Sequence, residues 1–195
     1  MATVGFKSAK IAVLDENEKT SADNIFTADE KTAGAIEAAI TGLAPTQNVV
    51  YASNVPYYVS SKGTGDIKIA LTVADLEALP EGALDKILGR EKNEDGITTI
   101  GANTEAPYCA VGLYTDDKNG KALFIGLLKV KFTFDGDDIK STDNNGSTLS
   151  SDVLNGSGVS RASDGLSWAK AREADDVTQD QFEDFIFPID ETPDA

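Results

Sequence analysis

Ile67, Ile69, Leu71 and Val73 alternate with Asp66, Lys68, Ala70 and Thr72 near the middle of the chain. A period of two sends alternate side chains to opposite faces, so residues 66–74 predict a half-buried β-strand. Residues 3–14 (TVGFKSAKIAVL) predict a first strand, bent or bulged, because the apolar face changes parity between Val4/Phe6 and Ile11/Val13. Asp15–Lys31 reads as a polar loop broken by Ile25-Phe26. Thr32–Thr41 (TAGAIEAAIT) fits a strand or a short helix, and Gly34 with its β-rich flanks favours the strand. Tyr108–Thr115 and Lys121–Phe134 flank Asn119-Gly120, a dipeptide suited to the positive φ angles of a tight hairpin turn. Residues 123–128 (LFIGLL) are apolar on both faces, whereas Lys129, Lys131 and Thr133 alternate with Val130, Phe132 and Phe134. One end of this strand is therefore expected to be buried on both sides, and the other to turn a polar face to water or to a channel.

The helical period occurs once. In Pro80–Leu88 (PEGALDKIL), Pro80 suits a first turn, Glu81 and Asp85 sit toward the positive end, and Leu84, Ile87 and Leu88 share a face. Gly89 follows as a left-handed cap. Lys92–Gly96 is a turn, and Asp135–Ser151 is an acidic loop rich in Asn, Gly and Ser. Val153–Glu173 holds one or two further strands, with Trp168 as the expected core anchor. The end of the chain sets Phe182, Phe185, Ile186, Phe187 and Ile189 in an acidic arm, residues 173–195. Such a segment either staples onto its own sheet or docks on a neighbour.

Residues 42–65 form a long loop without an alternating pattern, whose stretch Tyr51–Asp66 (YASNVPYYVSSKGTGD) is rich in contact residues and poor in charge. Tyr57 and Tyr58 combine apolar area with a hydrogen-bonding tip, a preferred interface composition, although they could equally fold back over the core. Neither an internal repeat nor a second domain is visible, so residues 1–195 read as one mainly β domain.

Composition narrows the chemistry. The 41% hydrophobic fraction over 195 residues is enough to bury a core. Thirty-three acids oppose seventeen bases, a formal charge of −16, which excludes nucleic-acid binding through clustered Lys and Arg. After Arg172 there is no basic residue. Histidine is absent, which removes the usual general base and most zinc sites. The lone Cys109, within PYCAVG, reads as a buried inert thiol. Ser167-Trp168-Ala169-Lys170 matches Ser-x-x-Lys but lacks the companion motifs of serine–lysine hydrolases. Gly63-Thr64-Gly65 and Gly156-Ser157-Gly158 lack the third glycine of a nucleotide fingerprint and read as turns. Ser141, Asp143, Asn145, Gly146 and Asp152 imitate the spacing of a calcium loop, but without its first Asp or flanking helices. Asp116-Asp117, Asp137-Asp138 and Asp175-Asp176 fall in turns or tail, with nothing to set them across a cleft. No catalytic, cofactor-binding or metal residue is expected. The start MATVGFK has no apolar leader, and no apolar run reaches the ~18 residues of a membrane helix.

YASNVPYYVSSKGTGDIKIAL, the helix ending ILGRE, EAPYCAV and KALFIGLLK, in this order, resemble the major tail (tube) proteins of long-tailed, non-contractile bacteriophages. The similarity runs from Val4 to about Phe134, and YASN…KGTGD and EAPYCAV are its most specific parts. It implies a β-sandwich or barrel with one helix packed outside the sheet, associating as homohexameric rings. Such rings stack into a tube around a tape-measure protein and later conduct viral DNA. Tail terminator and distal tail proteins are the other implied partners, no cofactor or membrane is implied, and the location is the virion tail after assembly in the host cytoplasm. The resemblance makes residues 42–65 the segment that joins ring to ring, and 173–195 a C-terminal arm. Tyr51, Val55, Tyr57, Tyr58, Val59, Phe182, Phe185 and Phe187 are the candidate interface residues. Some relatives carry an extra immunoglobulin-like domain at the C-terminus, for which no residues are seen after Ala195. A conduit that does not bind DNA is expected to have an acidic lumen. Two readings from other classes stand beside this one. One is a monomeric β-sandwich binding module for capsid decoration or receptor binding, and the other is a hydrolase built on paired carboxylates.

Overall fold

The computed structural model describes residues 3–136 and 150–189. In chain order the strands and helices are β1 (Thr3–Val13), β2 (Ile25–Ala28), β3 (Ala35–Thr41), β4 (Asn48–Ala52), β5 (Val55–Ser60), β6 (Ile67–Val73), α1 (Ala83–Leu88), β7 (Glu91–Lys92) and β8 (Thr98–Thr99). They continue with β9 (Tyr108–Asp117), β10 (Ala122–Phe134), β11 (Asp152–Gly158), β12 (Trp168–Arg172) and α2 (Gln179–Ile186). One antiparallel sheet runs β2-β1-β9-β10-β11-β6-β3, and β12 pairs with β10 beside it. The sheet curls until β3, at one end, approaches β1 near the other. The result is a mainly β, barrel-like fold.

β10 organises the sheet because it is long enough to hold three neighbours. Its Ala122–Lys131 stretch pairs with β9, Leu123–Leu127 with β12, and Val130–Phe134 with β11. A register shift between Leu127 and Val130 changes which side chains point inward. Before it, Phe124 and Leu128 face one way and Leu127 the other, and all three are buried. After it, Val130 and Phe132 are buried while Lys129, Lys131 and Thr133 turn outward. The doubly apolar run and the alternating run are thus the two sides of one bulge.

The two faces of the sheet have separate cores. Inside the curl, Ile11, Ile67, Ile69, Leu71, Val73, Val111, Val130, Phe132 and Leu154 pack with Leu84, Ile87 and Leu88 of α1. The helix flanks the sheet, its apolar face packed into this cluster and Lys86 left exposed on the other side. It is shorter than Pro80–Leu88. Gly82 has φ +75° immediately before Ala83, so Pro80 belongs to the preceding turn rather than to the helix. Gly89 ends the helix in the left-handed conformation, as expected.

The opposite face is covered by α2, a second helix that the sequence reading missed. Its N-cap Thr178 accepts a hydrogen bond from the Gln181 N–H, and the Gln181 side chain accepts one from the Thr178 N–H. Phe182 and Ile186 then meet the sheet at Gly112 and Gly126, which are register partners on β9 and β10. A Cβ on Gly112 would lie 2.8 Å from Ile186 Cδ1, and one on Gly126 would lie 2.9 Å from Ile186 Cγ2. The facing glycines form a socket, and Phe182 stacks on Phe124 with ring centroids 5.6 Å apart. Lys10 on β1 ties down the helix from the side, donating to both Glu183 carboxylate oxygens at 2.6 and 2.8 Å.

Other expectations change as well. Ile25-Phe26 does not interrupt a loop but opens β2, paired with β1. Gly156-Ser157-Gly158 is not a turn but the end of β11. A side chain on Gly156 would meet Val130 at 2.6 Å and Ile69 at 2.9 Å, so the strand crosses the core on glycine. Trp168 is not a core anchor. Ala169 and Ala171 of β12 face α2, which leaves Trp168 on the side turned away from α2, 37% exposed. Asp152 accepts a hydrogen bond from the Leu76 N–H, while the other residues of the calcium-like spacing lie outside the described residues.

Candidate assembly interface

Residues 42–65 are not an irregular loop. β4 and β5 form a two-stranded ribbon that pairs with no other strand among the described residues. Ser53 and Asn54 close it with φ of +52° and +64°, both positive, as a two-residue type I′ turn requires. Neither is glycine, so the turn holds some strain at the tip. A register shift beside Pro56 leaves Tyr57 as an extra residue between the pairs Tyr51↔Pro56 and Val50↔Tyr58.

The ribbon stands clear of the body. Every residue from Asn48 to Val59 is exposed, on both faces, and Tyr57 reaches 78%. The candidates Tyr51, Val55, Tyr57, Tyr58 and Val59 are therefore brought together on one projecting element, with Val49 and Val50 beside them. Its base is pinched. A Cβ on Gly42 would lie 1.8 Å from the Asp66 carbonyl oxygen, and one on Gly65 would lie 2.5 Å from that of Ala44. The two legs touch backbone to backbone there, which only glycine allows. An isolated two-stranded ribbon is marginally stable in water, and this one offers a partner its apolar side chains on both faces.

The C-terminal candidates separate. Phe182 and Phe187 are 3% and 2% exposed within this chain's own fold, and they have almost no surface to give a neighbour. Phe185 is 45% exposed and lies over the Arg161 guanidinium, 5.2 Å from ring centroid to Cζ, while its carbonyl accepts from Arg161 Nη1 at 3.1 Å. It sits far along the chain from the ribbon, on the helix that covers the outer core.

A second uncovered surface lies on the outer face of β10, β11, β6 and β3. Successive register pairs place Lys131, Ser157, Lys68 and Thr41 in one row, and Thr133, Asn155, Ala70 and Ala39 in the next. Val153, Thr72 and Glu37 follow. Beside this face Tyr108 lies under two ammonium groups, Lys129 at 4.6 Å and Lys131 at 5.0 Å from its centroid. Lys131 donates to Glu105 at 2.7 Å, which lowers that carboxyl. Lys129 donates at 2.7 Å to Glu18, which also accepts from the Ala162 N–H, the Ser163 N–H and the Ser163 hydroxyl. The Ala162 N–H and Lys129 are the main causes that hold Glu18 down at about 2, against burial. This carboxylate knots three segments together.

The Cys109 thiol and the Ser167 hydroxyl lie inside the fold. Burial pushes the Cys109 thiol up to about 12. Ser167 is buried, its hydroxyl 2.8 Å from that of Ser160. Among the described residues no three acids or cysteines are grouped to hold a metal ion, and no helix is long and apolar enough to cross a membrane.

A protein-family model described as phage tail tube protein matches residues 1–184, almost the whole chain. The chain belongs to the phage tail tube protein family. It is a structural component of the virion tail that self-assembles into a tube, and not an enzyme. No curated protein matches it in sequence. The match extends past Phe134, where the quoted resemblance ended, and takes in the strands and most of the helix that follow. For a tail tube protein the projecting ribbon is the notable element, since a subunit that polymerises must offer a neighbour some surface that it does not itself bury.

Proposed function

We propose that this chain is the major tail tube subunit, acting as one domain over residues 1–195. In this reading it forms homohexameric rings that stack around a tape-measure protein, with terminator and distal tail proteins at the ends. The tube later conducts DNA at ejection. Assembly takes place in the host cytoplasm and the product resides in the virion tail. The observation that carries the proposal is the β4–β5 ribbon: residues 42–61 contain no charged side chain, in a chain that is 26% charged and has a net charge of −16. Copies this acidic repel one another, and a neutral, Tyr- and Val-rich finger can approach the next ring without adding to that repulsion. Tyr51, Val55, Tyr57, Tyr58 and Val59 are the proposed contacts, with Phe185 at the rim; Phe182 and Phe187 pack within the subunit.

The outer face of β10, β11, β6 and β3 suits the lumen. Its register rows are made of hydroxyl, amide and methyl groups, with Lys68 and Lys131 against Glu37. That is nearer neutral than the acidic lumen expected from net charge, and it supports passage through scarcity of strong contacts rather than through repulsion. Negative-stain microscopy of the purified protein tests the proposal. Wild type should form rings or tubes, and Tyr57→Ala with Tyr58→Ala should leave the subunit folded but shorten or abolish stacks. Wild-type tube lengths from the double variant would remove the ribbon from the interface, and a monomer at every concentration would favour a binding module.

A further inference from the structure

A groove lies between the end of α1, the end of β10 and the loop that follows β8. It encloses about 350 Å³, ample for one phenol ring. Leu88, Ala106, Phe132 and Phe134 supply apolar wall, and Ile100 stands 69% exposed among them. The wall is built rather than loose. The Gly101 N–H donates to the Thr104 hydroxyl at 2.9 Å, and a Cβ on Gly89 would lie 2.1 Å from the Glu105 carbonyl oxygen, so the loop rests on the helix end main chain to main chain. Three charged residues line the groove: Arg90, Lys131 and Glu105. Lys131 and Glu105 satisfy each other at 2.7 Å, which leaves Arg90 as the surplus charge.

Arg90 differs from the bases around it. Lys7, Lys10, Lys129, Lys131, Arg161 and Arg172 each meet a carboxylate. The Arg90 guanidinium instead rests on the Phe134 ring, 5.3 Å from centroid to Cζ, and its Nε is buried with no hydrogen-bond partner. The same side chain lines a second hollow beside Leu79, Pro80 and Thr98. Glu81 and Asp85 border that hollow as well, yet among the described residues neither forms an ion pair with Arg90. A flat cation is thus held on one aromatic ring, between two open spaces, with donors that the subunit does not use.

We propose that the groove receives Tyr57 from the ribbon of a second copy, its ring laid against Arg90 and the apolar wall. The inference rests on the ribbon being the ring-to-ring contact, and it names the receiving surface. Guanidinium groups stack on aromatic faces, and Tyr57, at 78%, is the most exposed aromatic residue of those described, set off from the ladder as the extra residue of the β5 bulge. Its hydroxyl brings an acceptor to a guanidinium that lacks one. Charge matches too: an uncharged ribbon meets a groove with one base in surplus, on copies that otherwise repel at −16 each. An acidic segment would answer the charge of Arg90 but would leave the apolar wall and Ile100 uncovered.

Linkage between copies tests the contact. Subunits carrying Ile100→Cys are mixed with subunits carrying Val59→Cys, assembled into tubes and treated with a short bismaleimide; Cys109 is buried and stays out of the reaction. Covalent dimers from the mixture, and from neither variant alone, support the proposal. No dimers from tubes that form normally overturns it, as do dimers that appear only when Thr41→Cys on β3 replaces Ile100→Cys. Arg90→Ala gives an independent readout. Its isolated subunit should melt close to wild type, while the concentration needed for tubes rises at least tenfold. Adding Tyr57→Ala should raise that concentration no further than the larger of the two single effects, as for partners in one contact. Fold-changes that multiply would put an acidic segment in the groove and overturn the proposal. Wild-type assembly by Arg90→Ala, with stacking still lost in the Tyr57/Tyr58 double variant, sinks the groove and leaves the ring-contact reading standing. Wild-type assembly by both sinks the two together.

Discussion

Replacing Ile186 by alanine separates a helix that belongs to the fold from an arm that only reaches a neighbour. Ile186 is fully buried between Phe182 and the paired glycines Gly112 and Gly126. The substitution removes three carbons, about 2.4 kcal/mol of transfer free energy at ~0.8 kcal/mol per methylene. The cavity cannot close from the sheet side, because neither glycine has a side chain to move, and the total should reach about 3–4 kcal/mol. For a chain of this length that lowers the Tm by roughly 10 °C, measured on the unassembled subunit by calorimetry or urea unfolding. Gly126→Ala alone should also destabilise, by about 1–3 kcal/mol, since its methyl would sit 2.9 Å from Ile186 Cγ2 and 3.1 Å from Phe182 Cζ. In the double variant the new methyl enters the space Ile186 vacates, so the losses should fall short of their sum by about 1 kcal/mol or more. An Ile186→Ala cost under about 1 kcal/mol, or strict additivity, would refute the socket. The same packing means that deleting all residues after Thr178 should damage thermal stability at least as much as polymerisation, contrary to the expectation for a free arm.

Three further outcomes can be checked directly. Glu18 has its folded pKa depressed from 4.5 to about 2, so its contribution to stability is fully present above about pH 4.5 and is lost as pH falls toward 2. The gap in melting temperature between wild type and Glu18→Gln should therefore narrow across that window. Cys109, with its thiol pushed up to about 12 and no exposed surface, should resist alkylation in the native subunit at pH 8 and react on unfolding in urea. Ser53→Asn with Asn54→Gly installs the residues that a type I′ turn favours, and should lower the protein concentration needed for tubes while leaving the melting temperature within about 1 °C. Slower assembly in that variant would mean that the strained tip is itself a contact.

What could be read in advance depended on whether burial enforced a pattern. β6 was legible because one face of it is packed, which writes the period of two into Ile67–Val73, and the β9–β10 hairpin because burial on both faces leaves two apolar runs with Asn119-Gly120 between them. The parity change in β1 was legible for the same reason, and the pairing with β9 shows register shifts at Val4/Phe6 and Phe6/Ser8. The β4–β5 ribbon was not, because both of its faces are exposed and nothing forces alternation on it. Its closing residues, Ser-Asn, are also not the usual hairpin dipeptide. α2 was hidden by its acids, although two signals lay in the open: Thr178 followed at three residues by Gln181, and the pair Gly112 and Gly126 inside strands, where glycine marks a close approach. Trp168 misled because size suggests a core, whereas its position opposite Ala169 and Ala171 puts it on the side of β12 turned away from α2, where it stays partly exposed.

The pinch at Gly42 and Gly65 assigns two properties of the proposed tube to different residues. Side chains from Val49 to Val59 decide how strongly one ring holds the next. The direction in which the ribbon leaves the subunit is set instead by main chain resting on main chain, at contacts that no side chain mediates. The strength of each joint can then drift through substitution at the tip while the rise and twist from ring to ring stay constant. A change at either glycine does the reverse, altering the pitch of the whole tube without touching a single contact residue.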